Sequence, residues 1–165
     1  RDAVGVQPMH LSCMRTPDVT RLLLDRRADV DAPLKLGMTP LVFAAMNARL
    51  QTVELLLSNG ARRASDAMGA NALHWACLSQ GGARPEMVRL LTEAGVSPHD
   101  RFSPLRGSAL WLLAKLVDMR YHLGYGGFHT MFAHHAWGVT PLMVAAMVGD
   151  ANSALLLIHA RAAPE

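Results

Sequence analysis

Aromatic residues are scarce in this chain, at 5% of its 165 positions. Aliphatic side chains, Met and Ala must therefore fill any core, which favours close-packed helices over a β-sandwich. Cysteine is nearly absent. Cys13 and Cys77 form no CxxC and no zinc spacing, so a disulfide or zinc framework is not expected and a reducing compartment suits the chain. Long apolar runs are missing too. The most apolar stretches, 109–117 and 142–158, are broken by Lys115 and Asp150, and neither reads as a membrane span. Runs of one charge are equally short. The formal net charge is +3, yet the longest basic runs are the pairs Arg26-Arg27 and Arg62-Arg63. Arginines scattered in this way read as a solvated surface rather than a nucleic-acid face. A nucleophile elbow, P-loop, dinucleotide fingerprint and H-E-x-x-H are all lacking.

What the chain does have is internal repetition. Five segments align: Gln7-Pro8-Met9-His10-Leu11-Ser12-Cys13, Thr39-Pro40-Leu41-Val42-Phe43-Ala44-Ala45, Asn71-Ala72-Leu73-His74-Trp75-Ala76-Cys77, Ser108-Ala109-Leu110-Trp111-Leu112-Leu113-Ala114 and Thr140-Pro141-Leu142-Met143-Val144-Ala145-Ala146. Their second residues, Pro8, Pro40, Ala72, Ala109 and Pro141, lie 32, 32, 37 and 32 positions apart. A Leu-rich block follows in four copies, around Leu22–Leu24, Leu55–Leu57, Leu90-Leu91 and Leu155–Leu157. Thr or Ser before Pro can cap a helix, and Pro at the first helical position has its φ preset. Leu41, Ala44 and Ala45 give the i, i+3, i+4 spacing of one buried face. Gly60 and Gly95 stand where a left-handed residue closes the second helix, with Arg27 and Arg161 in that place in the first and last copies. Cys13, Ala45, Cys77, Ala114 and Ala146 share one position and read as small core residues.

These segments resemble the ankyrin repeat, with its T-P-L-H-x-A signature and period near 33. The resemblance implies an all-α solenoid of about five helix–turn–helix repeats joined by short β-hairpin fingers. It implies a single domain over 1–165, with repeats near 4–36, 37–68, 69–105, 106–137 and 138–163. The fourth copy diverges: its Leu triplet is missing, and Gly124, Gly126 and Gly127 interrupt it. By the same resemblance, His10 and His74 brace neighbouring repeats.

Solenoids bind through concave faces built from equivalent positions. In ankyrin repeats these are the finger tips and the exposed end of the first helix. Carried over by position, the expected protein-binding residues are Lys35, Leu36, Met38, Met46, Met68 and Leu78, together with Phe102, Leu105, Lys115, Trp137, Val139 and Met147. The set is apolar, its two charges basic. The expected function is therefore protein recognition or scaffolding, binding an apolar or amphipathic partner segment without a cofactor. Catalysis is not expected. A nucleic-acid module using the scattered arginines is one alternative. A metal-dependent enzyme built on His122, His129, His134 and His135 is another. It is disfavoured because His129 and His134 lie five apart, off the i, i+4 face that a chelating pair prefers, and no carboxylate lies among these histidines. An intracellular setting, cytoplasmic or nuclear, and a place in a longer chain complete the expectation.

Overall fold

The structure, a computed structural model, describes residues 5–34, 37–79, 84–102 and 138–162. Among them eight helices form in sequence: α1 (Pro8–Ser12), α2 (Pro17–Asp25), α3 (Pro40–Met46), α4 (Leu50–Ser58), α5 (Ala72–Cys77), α6 (Pro85–Glu93), α7 (Pro141–Val148) and α8 (Ala151–Ala162). They pack as four antiparallel pairs in a row. The first helix of each pair touches the first helix of the next, and the second touches the second.

Local chemistry accounts for the helix ends. Pro occupies the first turn of α1, α2, α3, α6 and α7. Capping by the preceding residue is less uniform than the motif suggests. Thr140 Oγ1 accepts from the Met143 N–H at 3.4 Å, whereas the buried Thr39 Oγ1 has no partner. Asn71 caps better: its Oδ1 accepts from the Leu73 and His74 N–H groups at 3.1 and 3.3 Å. At the other end Gly60 and Gly95 take φ near +80°, as the C-terminal reading requires. Arg27 adopts φ 61° in the equivalent place, a left-handed conformation that costs a side chain energy. Arg161 lies inside α8 instead, which runs to Ala162.

The core is one continuous aliphatic cluster along the row. Leu56, Leu91 and Leu157 from the second helices are fully buried against Leu41, Leu73 and Ala145 from the first. The shared small position behaves as read in three copies: Cys13, Ala45 and Cys77 are each 0% exposed. In the last copy Ala146 is exposed, because no described element covers that side of α7. Ala114 lies outside the described residues. Both cysteines are unpaired, and burial pushes their thiols up to about 11 for Cys13 and about 12 for Cys77.

Two expectations change. Among the described residues no strand forms, so the β-hairpin character of the fingers is not confirmed. Each is a tight turn. Gly37 N–H donates to Leu34 O at 2.9 Å and Leu34 N–H to Met38 O at 3.0 Å, and Asp66, Gly69 and Ala70 repeat the pattern. Two such bonds close a turn but do not build a ladder. The second change concerns order. Helix α5 packs directly on α7, and α6 on α8, so the third and fifth copies are neighbours. The fourth copy expected at 106–137 lies outside the described residues. Its flanks show where it attaches: Phe102 N–H donates to Val139 O at 2.9 Å and Gly138 N–H to Phe102 O at 2.8 Å. This is the same turn closure, and Gly138 has the same φ of 74° as Gly37 and Gly69. Phe102 and Gly138 thus hold the relation that Leu34 and Gly37, and Asp66 and Gly69, hold in the other two fingers.

An excision follows from this geometry. Replacing 103–137 with the tip pair Ala-Met of the second finger should leave the four pairs folded. Urea unfolding followed by circular dichroism tests this. A loss of helicity beyond the excised residues would show that the row depends on them.

Candidate functional site

Two fingers and two first helices converge on one concavity of about 240 Å³. The second finger contributes Met68 and Ala70, and α5 contributes His74, Trp75 and Leu78. The far wall is Phe102 and Val139 at the third finger, with Val144 and Met147 on α7. No Lys, Arg, Asp or Glu side chain lines the concavity. Trp75 and Leu78 also border a second depression with Met46, Asn47 and Ser79, so the groove continues onto α3.

Hydrogen bonds fix the groove's floor. His74 Nε2 lies 3.0 Å from Val139 O, while its Nδ1 lies 3.2 Å from the Asn71 N–H. A carbonyl can only accept and a backbone N–H can only donate. A proton on Nε2 serves both, while Nδ1 also lies 2.9 Å from Asn71 Oδ1, which a proton on Nδ1 would serve; burial favours the neutral ring. Burial lowers the pKa of His74; the Val139 carbonyl and the carboxylates of Asp100 and Asp66 pull the other way. The bracing role expected of this residue is thus realised, and it ties the third copy to the last. His10 occupies the same position in the first copy. It sits edge-on to Phe43 with centroids 5.5 Å apart, but its buried Nε2 closes no hydrogen bond.

Asp66 sets the opposite wall. Its Oδ1 accepts from the Met68 and Ala70 N–H groups at 2.8 and 3.0 Å, and its Oδ2 accepts from Trp75 Nε1 at 2.9 Å. One carboxylate therefore shapes the finger and holds the indole over the groove. Burial pushes its pKa up, while the indole and backbone donors draw it back.

The expected site residues divide three ways. Met68, Leu78, Phe102, Val139 and Met147 meet at the concavity, and Met46 meets them at its extension. Val139 is corrected in one respect: it is only 7% exposed, and its carbonyl is taken by His74 and Phe102, so it forms floor rather than rim. Met38 lies apart, half-buried against the core. Lys35, Leu36, Leu105, Lys115 and Trp137 lie outside the described residues, as do the alternative metal ligands His122, His129, His134 and His135. Among the described residues no cluster of three potential metal ligands occurs, and no helix is long and apolar enough to cross a membrane. Reading by position missed Trp75 and Asp66. Trp75 occupies the same place as Phe43, and that shared aromatic was the available signal. Nothing in the spacing distinguishes Asp66 from an ordinary turn former.

Comparison with known families agrees with the packing. A family model described as ankyrin repeats in three copies matches residues 9–101, more than half of the chain. The chain belongs to the ankyrin-repeat family. A curated relative, the B-cell lymphoma 3 protein homolog of Mus musculus, is 38% identical over 98 residues. That alignment takes in 58% of this chain and 21% of the relative, so the chain spans about a fifth of that protein. Ankyrin repeats generally serve as protein–protein interaction modules. The family match ends at residue 101, one residue before the third finger's turn, and the last ankyrin-type pair resumes at Pro141.

Proposed function

We propose that the concave groove binds an apolar or amphipathic segment of another protein, without a cofactor and without catalysis. One observation carries this reading. The concavity spans the third and last repeats, and the polar groups of its floor, His74 Nε2 and Val139 O, are already paired with each other. Its free surface is apolar, including half-exposed Met147 at 50% and Leu78 at 36%. Met adapts to varied partners, and an exposed apolar patch of this kind marks interaction sites. The described walls hold no cation, which leaves a nucleic-acid phosphate nothing to pair with here. The unpaired buried cysteines support an intracellular setting.

Burial of one Leu- or Phe-sized anchor contributes about 1.5–3 kcal/mol. Leu78→Asp combined with Met147→Asp should then weaken peptides selected from a display library about tenfold or more. The exposed Glu54→Ala serves as a control on α4. Equal binding by wild type and the double variant, at matched helicity, would sink the reading.

A further inference from the structure

The second finger carries chemistry that the groove does not use. The run Arg62-Arg63-Ala64-Ser65 sets two cations three and two positions before a serine hydroxyl. Residues 62–65 are all exposed and lie in a stretch, 61–66, that is neither helix nor strand. Protein kinases select substrates partly by charge pattern, and an arginine pair just before the acceptor suits an enzyme with acidic subsites. The Arg62 side chain is 74% exposed and is held by one ion pair, Nε to Asp31 Oδ2 at 3.0 Å. Ser65 itself is the end of a latch. Its Oγ donates to Asp100 Oδ2 at 3.1 Å, and the same oxygen accepts from Asn71 Nδ2 at 2.9 Å. Asn71 also donates to Ser97 O at 2.7 Å and caps α5 beneath the groove.

We propose that Ser65 is a phosphorylation site for a basophilic serine/threonine kinase, and that the phosphate opens this latch. Ser65 Oγ attacks the γ-phosphorus of ATP. A new O–P bond forms as the bond between the γ-phosphorus and the β–γ bridging oxygen breaks. ADP departs with that oxygen, and the hydroxyl proton passes to the kinase's catalytic carboxylate. The resulting ester has no proton to give Asp100. It carries close to two negative charges at neutral pH and faces a carboxylate, an arrangement that disrupts by like-charge repulsion. Asp100 then withdraws from the second finger, and its hold on Asn71 weakens.

The test treats the folded chain with ATP, Mg²⁺ and the catalytic subunit of a cyclic-AMP-dependent kinase, and maps phosphate by mass spectrometry. Label is expected at Ser65. It should vanish in Ser65→Ala and fall about tenfold or more in Arg62→Ala/Arg63→Ala, which lacks the charge-assisted contacts. The phosphorylated chain should melt about 2–4 °C lower, and Asp100→Asn should reduce that shift by removing the repulsion. Absence of label at Ser65 in the folded chain, while a peptide of residues 58–70 is labelled, overturns the site. So does label confined to other residues. A labelled chain that melts at an unchanged or higher temperature overturns the latch.

Discussion

Leu56→Ala is expected to lower the folding stability by about 2–5 kcal/mol, the usual cost of truncating a fully buried Leu. Leu56 is 0% exposed and sits in the last turn of α4, inside the cluster that runs from the first pair to the last. Its carbonyl also accepts from Ala61 N–H at 3.0 Å, closing the C-terminal turn around Gly60. The backbone is thus held on both sides of the deleted methyls, which leaves little freedom to collapse into the void. In a linear stack each repeat is stabilised by its immediate neighbours, so damage in the second pair also weakens the first. Urea unfolding should show a lower midpoint and a broader transition. The exposed Glu54→Ala, two residues away on the same helix, should stay within about 0.5 kcal/mol of wild type. An unmoved midpoint in Leu56→Ala would mean that the helix pairs are registered wrongly.

Acidification below about pH 6.5, the unperturbed histidine value, is expected to destabilise the stack steeply. His10 and His74 are both buried and both have pKa values lowered by burial. The unfolded chain binds protons at these positions before the folded chain does. Stability is therefore complete above the unfolded value and falls as the pH drops from there through the lowered folded values. Each histidine contributes a slope of up to about 1.4 kcal/mol per pH unit within its window. Asp66 acts with the opposite sign. Burial raises its pKa, so the folded chain takes up its proton first, and protonating it in the carboxylate range offsets part of the loss. Urea midpoints measured from pH 7.5 to 5 should decline from about 6.5 downward, and His10→Gln/His74→Gln should flatten the curve. A flat wild-type profile would overturn the neutral-histidine assignment.

The groove shows how far positional reading reaches. Met68, Leu78 and Met147 were placed by counting along the repeat, and they meet in space because equivalent positions in a solenoid share a face. Trp75 was legible only as a helix residue. Its role depends on the Asp66 carboxylate nine positions earlier, and neither residue announces that bond. Thr39 shows the converse. Its Thr-Pro pair is an ideal capping signal, yet its hydroxyl is buried without a partner. A signal read from one turn of chain takes no account of how neighbouring pairs press on that turn.

From sequence alone came the repeat period, the helix pairs, the proline starts, the glycine ends and the small buried positions, because each rests on contacts within about one helical turn. Tertiary structure alone decided which pairs are neighbours. The bonds joining Phe102 to Gly138 and Val139, and His74 to Val139, link residues far apart in the chain, and no local spacing encodes them. They seat the last repeat on the third and close the groove where those two repeats meet.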